Sequence, residues 1–290
     1  MAGDRYPSPI SRFYYEWRNA LLHFLLGSLL SGYTLFFFKS SSLLVSFGFM
    51  AVLAGLLVAN ELPRFQRLGL PFKFALLALC WLAFSAALTP VATGSIGVFN
   101  FLLSMALGAL PLLALGLWLR ARREVLVPLG SVLLVFLIFY FFRLIPPVPL
   151  SIPFMGVYHG VERTNEGYVL THERPAWRFW HHGDQWFRAQ GGDRLFVYFR
   201  IFSPGRFADQ VQMRWFWKDE KRGWALQDTI PIRIVGGREE GFRGYAFKTN
   251  YPFGDWRVQI ETGDGREIGR IYFDVQIAPQ GERQFTAELD

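Results

Sequence analysis

The sequence predicts a membrane all-α half with five transmembrane helices, followed by a C-terminal all-β half of immunoglobulin-like sandwich type. Three observations carry this. Long apolar runs succeed one another up to Leu144 with few charges between them. Pro146, Pro147, Pro149 and Pro153 then forbid helix continuation and favour an extended, stiff connector. Beyond them, charged and aromatic residues alternate between Gly- and Pro-bearing breaks, in the manner of a soluble β domain. The expected boundaries are 1–145 for the helical half, 146–153 for the connector and 154–290 for the β half.

Five runs have the length that a helix needs to cross roughly 30 Å of hydrocarbon: Ala20–Phe38, Leu43–Ala59, Phe74–Ala92, Ile96–Leu119 and Val125–Phe142. None shows the polar stripe, at a period of about 3.6 residues, of a helix half-exposed to water. Run one continues through Tyr33 to Phe38 without a small-residue cleavage site, so it reads as an uncleaved span.

The connecting segments set the orientation. Arg5, Arg12, Arg18, Arg64, Arg67, Lys73, Arg120, Arg122 and Arg123 fall on one side, against only Lys39 and Arg143 on the other. Basic loops stay cytoplasmic, so the N-terminus is expected inside. Five crossings then put the β half outside, in the periplasm of a bacterium, with the spans in the inner membrane. Tyr14, Tyr15, Trp17, Trp118 and Tyr140 flank the runs, where amphipathic rings prefer the headgroup level. The net charge of +7 lies wholly in the helical half, so it reflects topology and is no footprint of nucleic-acid binding.

Within the runs the deep polar candidates are His23, Asn60 and Asn100, and no span buries a carboxylate. His23 is expected to hydrogen-bond between helices, and ion-coupled transport is disfavoured. Cys80, the only cysteine, excludes an intramolecular disulfide.

In the β half, period-two sets recur. They are Leu195/Val197/Phe199/Ile201, Val211/Met213/Trp215/Trp217, Ile230/Ile232/Ile234, Arg243/Tyr245/Phe247, Trp256/Val258/Ile260 and Ile271/Phe273/Val275/Ile277. Turn chemistry separates them, for example Ser203-Pro204-Gly205 and Gly263-Asp264-Gly265. Six or more short strands at this spacing indicate an antiparallel sandwich, and 156–170 is expected to add a hairpin. The stretch 177–190 is read as a short helix or an aromatic loop. The half carries no net charge, and from Ser151 onward it is expected to fold alone.

One resemblance follows from particular residues. The stretch Gly236-Gly237-Arg238-Glu239-Glu240-Gly241-Phe242-Arg243-Gly244-Tyr245 is followed by Gly254-Asp255-Trp256-Arg257-Val258. Then comes Gly265-Arg266-Glu267-Ile268-Gly269-Arg270-Ile271-Tyr272-Phe273. Together these resemble a bacterial multipass inner-membrane protein family with a C-terminal β-sandwich domain of unknown function. The resemblance implies the architecture and no activity.

The binding candidates are Arg238, Arg243 and Tyr245 in the glycine-rich stretch, and Trp177, Trp180 and Trp186 as an aromatic platform. Two arginines among four glycines can grip a carboxylate or phosphate, or serve a tight turn with the arginines paired or stacked. His181, His182 and Asp184, joined by His159 or His172, are the metal candidates. No metal is expected, because adjacent histidines in a strand point to opposite faces and no Cys or Glu-x-x-His pattern supports them. Gly-x-Ser-x-Gly is absent, and Glu239-Glu240 sits in a Gly-rich turn. No catalytic residue and no cofactor are therefore expected. The expected function is that of an accessory or scaffold protein, anchored in the lipid bilayer, whose β half engages an envelope protein or ligand. The alternative is an envelope enzyme or carrier acting on an anionic lipid or glycan precursor through Arg238, Arg243 and the aromatic loop.

Overall fold

The computed structural model describes residues 9–39, 43–120, 122–175, 177–178, 181–204, 208–235, 241–279 and 283–290, with side chains at all of these except 9–16, 39 and 43–46. Trp180 and Arg238 lie outside the described residues. The chain divides into a helical unit and a β unit.

The apolar runs form α1 (Pro9–Lys39), α2 (Leu43–Glu61), α4 (Leu70–Thr93), α5 (Val98–Trp118) and α6 (Arg122–Phe141), with one short turn, α3 (Pro63–Gln66), between α2 and α4. Four stretches among the described residues are long and apolar enough to cross a membrane: Trp17–Phe38, Leu70–Thr93, Val98–Trp118 and Arg122–Phe141. The second run does form a helix, but its described apolar part, Phe47–Glu61, is shorter than a crossing. Leu26, Leu30, Leu53 and Leu82 are buried, while Phe24, Leu35, Leu110 and Val127 face outward. Apolar side chains inside and outside alike are what a lipid solvent allows.

Helix contacts in this unit use small and polar residues, as they do where lipid removes the hydrophobic drive between helices. A Cβ on Gly108 would stand 2.9 Å from the side chains of Leu82 and Ser85, so α4 and α5 approach closely there. The His23 ring, on α1, meets Asn60 Oδ1 on α2 at 2.8 Å, and Asn60 Nδ2 donates to the His23 carbonyl at 2.8 Å. The interhelical role expected for His23 is therefore present. Trp118 is exposed, while Tyr140 is buried and packs edge-on against Phe141.

At the head of the main segment of the β unit, Pro146–Leu150 turns rather than extends. The Val148 N–H donates to the Pro146 carbonyl and the Leu150 N–H to that of Pro147. The first strand begins at Ser151, within the expected 146–153 connector. Val148 and Leu150 are buried, which explains why proline-fixed dihedrals serve a packed turn here.

Eleven strands follow among the described residues. They are β1 (Ser151–Tyr158), β2 (Gly160–Arg163), β3 (Tyr168–His172), β4 (Trp186–Ala189), β5 (Leu195–Phe202), β6 (Ala208–Asp219), β7 (Gly223–Val235), β8 (Phe242–Lys248), β9 (Gly254–Thr262), β10 (Glu267–Ile277) and β11 (Thr286–Leu289). They form sheets in the orders β1-β5-β8, β4-β10-β9-β6-β7 and β11-β3-β2. The first two face each other across one core. Val157, Val197, Phe199 and Ile201 pack from one side, and Met213, Trp215, Trp256, Val258, Ile271 and Phe273 from the other. These are the inward positions of the alternating sets, because a period of two sends every second side chain to the same face.

The third sheet covers the opposite face of the first. Leu170 and Val161 pack there on Tyr158 and Tyr198. Pairing is antiparallel except between β4 and β10, which run parallel. The unit also takes in 89–101: the Ala208 N–H donates to the Gly94 carbonyl at 3.0 Å, and the Ile96 N–H to Asp209 Oδ2 at 2.9 Å.

Candidate functional site

The glycine-rich stretch opens β8. Gly241 has φ +85°, and a Cβ there would stand 2.7 Å from the Ile201 carbonyl oxygen. At Gly244 a Cβ would meet the Phe199 ring at 2.7 Å. These two glycines make room for β5, leaving no space beside the backbone for a ligand. Arg243 points to the other face, where its Nε lies 3.5 Å from Asp290 Oδ2. Arg200, opposite it on β5, reaches Asp290 Oδ1 at 3.3 Å, and the Tyr198 hydroxyl donates to Asp290 at 2.5 Å. Tyr245 is partly exposed in an aromatic cluster with Tyr168 and Phe196. Arg243 is thus committed to the fold.

Beside it, β11 is tied down by the same chemistry. The Tyr158 hydroxyl donates to Glu288 Oε1 at 2.8 Å, and Arg174 and His172 reach Glu288 Oε2 at 3.2 and 3.6 Å. These partners, His172 first, hold the Glu288 carboxyl below its usual range. Burial pushes the Tyr158 and Tyr198 hydroxyls far up, so both remain donors.

The segment between β3 and β4 is organised differently. Gly183 has φ +64°, and a Cβ there would fall 2.0 Å from the Val157 carbonyl oxygen, so only glycine lets this segment dock on β1. Docking turns Asp184 inward, with its own N–H donating to the Val157 carbonyl at 2.7 Å. Both Asp184 oxygens accept the Glu173 N–H, at 3.1 and 2.9 Å. His159 stacks on Phe187 at 4.0 Å and lies 3.7 Å from Asp184, 3.8 Å from Glu173 and 3.9 Å from Asp193. Arg283 closes the cluster, donating to Asp193 Oδ2 at 2.6 Å and lying 3.6 Å from Glu173 Oε1.

Burial dominates the charge states here. It raises Asp184 to about 6 and also raises Glu173. Burial, then the Arg283 charge, lowers His159 to about 4, so the ring is neutral at pH 7. At Asp193 burial is the largest effect and works upward, but the Arg283 hydrogen bond, the Gln190 N–H and the Arg283 charge together outweigh it, and the carboxyl ends below its usual range.

Outside this cluster the surface carries an aromatic clamp. The Arg178 guanidinium lies 4.5 Å from the Trp177 ring centre and 3.9 Å from that of Trp186. The two tryptophans are 61% and 49% exposed. Between clamp and cluster is a cavity of about 120 Å³, lined by Glu173, Arg174, Arg178, Asp184, Trp186 and Arg188 among others.

The sequence-named residues therefore separate. Trp177 and Trp186 come together, through an arginine that sequence reasoning passed over. His181, His182 and Asp184 do not: Asp184 is buried beside His159, whereas the His182 ring lies tilted against Phe154 with ring centres 4.2 Å apart. Among the described residues no three His, Cys, Asp or Glu side chains stand in ready metal-ligand geometry. Glu173, Asp193 and Arg283 had no local motif. The nearest sequence signal was Gly183-Asp184, a glycine beside an acid in an aromatic stretch.

Comparison with known proteins supports the domain and not a mechanism. Residues 208–275, from β6 to most of β10, match a family model described as a protein of unknown function (DUF2914). The C-terminal unit is thus a β-sandwich containing a domain of unknown function. No curated protein matches the chain. An immunoglobulin-like protein from Pseudomonas aeruginosa aligns with 13% identity and a TM-score of 0.28, over 44% of this chain and 98% of that one. A Listeria innocua beta-glucosidase in complex with glucose aligns with 13% identity and a TM-score of 0.25. That overlap takes in 33% of this chain and only 15% of the enzyme's length. The Pseudomonas fluorescens alkylpurine DNA glycosylase AlkC aligns with 10% identity and a TM-score of 0.28, over 79% of this chain and 52% of the glycosylase.

Proposed function

We propose that this chain is a bacterial inner-membrane accessory or scaffold protein without catalytic activity, whose periplasmic β unit engages an envelope protein. It crosses the membrane five times, with its N-terminus in the cytoplasm. The basic residues of the alternate loops support this orientation.

The observation that carries the binding role is the clamp of Trp177, Arg178 and Trp186. Tryptophan and arginine dominate interface hot spots, and here two half-exposed rings flank one guanidinium at 4.5 and 3.9 Å. A carrier gripping an anion through the glycine-rich stretch is the weaker reading, because Arg243 is already occupied by Asp290.

Purification of the tagged full chain in mild detergent, with co-purifying proteins and lipids identified, tests this. We expect a stoichiometric envelope protein that is lost from a Trp177→Ala/Trp186→Ala variant of unchanged stability. A single lipid or glycan recovered in its place would reverse the order of the two readings. Alkaline phosphatase fused after Asp290 should be active, and a silent fusion would overturn the orientation.

A further inference from the structure

The outer face of the five-stranded sheet carries charges and aromatic rings in a fixed register. Tyr272 lies opposite Arg257, Asp274 lies opposite Asp255, and Phe216 flanks Arg257 from β6. Cross-strand partners share a face, so these side chains stand together. Most charges there pair off within the chain. Arg214 meets Glu261 at 3.1 Å, Lys218 meets Asp255 at 2.9 Å, and Arg270 pairs with Glu267. Arg257 and Asp274 are left over, both half-buried, and neither makes an ion pair among the described residues. The buried Nε of Arg257 has no hydrogen-bond partner there, and the Asp274 carboxylate accepts from Gln276 Nε2 at 2.6 Å.

Arg257 is ordered before any partner arrives. Its guanidinium lies 4.3 Å from the Phe216 ring centre and 5.0 Å from that of Trp224, so less rotamer freedom remains to be lost on binding. A guanidinium flanked by rings recognises a carboxylate through its N–H edge. We propose that this face docks a second copy of the chain about a two-fold axis, so that Arg257 of each copy meets Asp274 of the other. In such a contact residue i meets j and j meets i, so one unpaired base beside one unpaired acid forms a self-complementary pair. A protein of different sequence would have to supply both opposite charges at the matching spacing. The β half carries no net charge, so two copies approach without general repulsion.

Arg257 and Asp274 occupy one diagonal of a square on β9 and β10, and Tyr272 and Asp255 occupy the other. A two-fold axis along that second diagonal sets Tyr272 against its own equivalent. Tyr272 is 41% exposed, leans on Trp224 with ring centres 5.7 Å apart, and supplies the aromatic centre that interfaces favour. Asp255 keeps its Lys218 and brings no unbalanced charge. Trp186 borders the square from β4, opposite Asp274. Self-association is measured on the purified chain alone, so the proposal stands or falls apart from any envelope protein at the clamp.

The test is the mass of the purified full chain in detergent, followed by light scattering over a range of concentrations. We expect dimers by about 100 μM, within the span of affinities that interfaces of ordinary size show. Arg257→Asp and Asp274→Arg each put like charges at both contacts, because the axis repeats every change. Each should weaken dimerisation at least about 30-fold. Mixed in equal amounts, the two variants should associate again at close to wild-type strength, since one carries acid at both positions and the other base at both. A melt of each variant checks its folding. Where a reversal lowers the melt, Arg257→Gln and Asp274→Asn carry the test, each weakening dimerisation about 10-fold. A wild type that stays monomeric throughout would overturn the proposal, as would dimers unchanged in both neutral variants. So would a dimer that survives both reversals, or two folded reversal variants that do not associate with each other.

Discussion

Arg178 and Arg243 both lie in aromatic surroundings of the β unit, and they are spent on different things. Arg243 sits on a strand, faces Arg200 across the pair, and shares Asp290 with it. Gly241 and Gly244, on either side of it, leave room for β5. Arg178 sits in an irregular segment between two tryptophan rings. Around Arg243, Gly241 and Gly244 serve packing, while the Trp177–Arg178–Trp186 arrangement leaves two tryptophan rings half-exposed. Glycine beside a charge signals close backbone approach, and what approaches is as often a neighbouring strand as a ligand.

The largest effect that would break this contrast is at Gly241. A Gly241→Ala change imposes a side chain at positive φ and drives Cβ into the Ile201 carbonyl. We expect a loss of about 2–4 kcal/mol, read as a lower transition temperature by tryptophan fluorescence. A neutral result would mean that the turn has room to relax and could admit a ligand.

Next is Arg243→Ala. Its pair with Asp290 is only partly screened from water, so a loss of about 1–3 kcal/mol is expected, between surface and buried limits. The effect should shrink in an Asp290→Asn background, which a double-mutant cycle would show.

A smaller effect depends on pH. Glu288 titrates below its unfolded value of 4.5, held down by His172, Tyr158 and Arg174. Its contribution to stability is therefore complete above about pH 4.5 and is lost as pH falls through the lower folded value. Acid melts of the wild type should steepen below that point relative to Glu288→Gln. Parallel curves would mean that β11 is held by backbone pairing alone.

Much of the fold was legible because two periodicities dominate it. Uninterrupted apolar runs became helices, and the inward members of sets such as Val197/Phe199/Ile201 and Trp256/Val258/Ile260 became the core. Short strands were not legible. β4 has four residues and pairs parallel with β10, while β11 pairs with β3, more than a hundred residues away in sequence. Neither had enough length to show a period, and 177–190 accordingly read as a helix or loop. The sites were hidden for a related reason. His159, Glu173, Asp184, Asp193 and Arg283 are assembled by the docking of separate strands, with no fixed spacing to recognise. Trp177, Trp180 and Trp186 were named together as an aromatic platform; Trp180 lies outside the described residues, and Arg178 gained its place only once Trp177 and Trp186 were set around it.

The contrast is tested most directly by one paired measurement: partner recovery from detergent-solubilised Arg178→Ala and Arg243→Ala proteins, each scaled to its own folded fraction from a fluorescence melt. We expect Arg178→Ala to melt within about 0.5 kcal/mol of the wild type, as exposed positions do. It should lose partner recovery by at least about 30-fold, the loss that a hot spot of 2 kcal/mol implies. Arg243→Ala should do the reverse, melting lower while its folded fraction keeps the partner. Full recovery with Arg178→Ala, or loss confined to folded Arg243→Ala protein, would contradict the assignment of binding to the clamp.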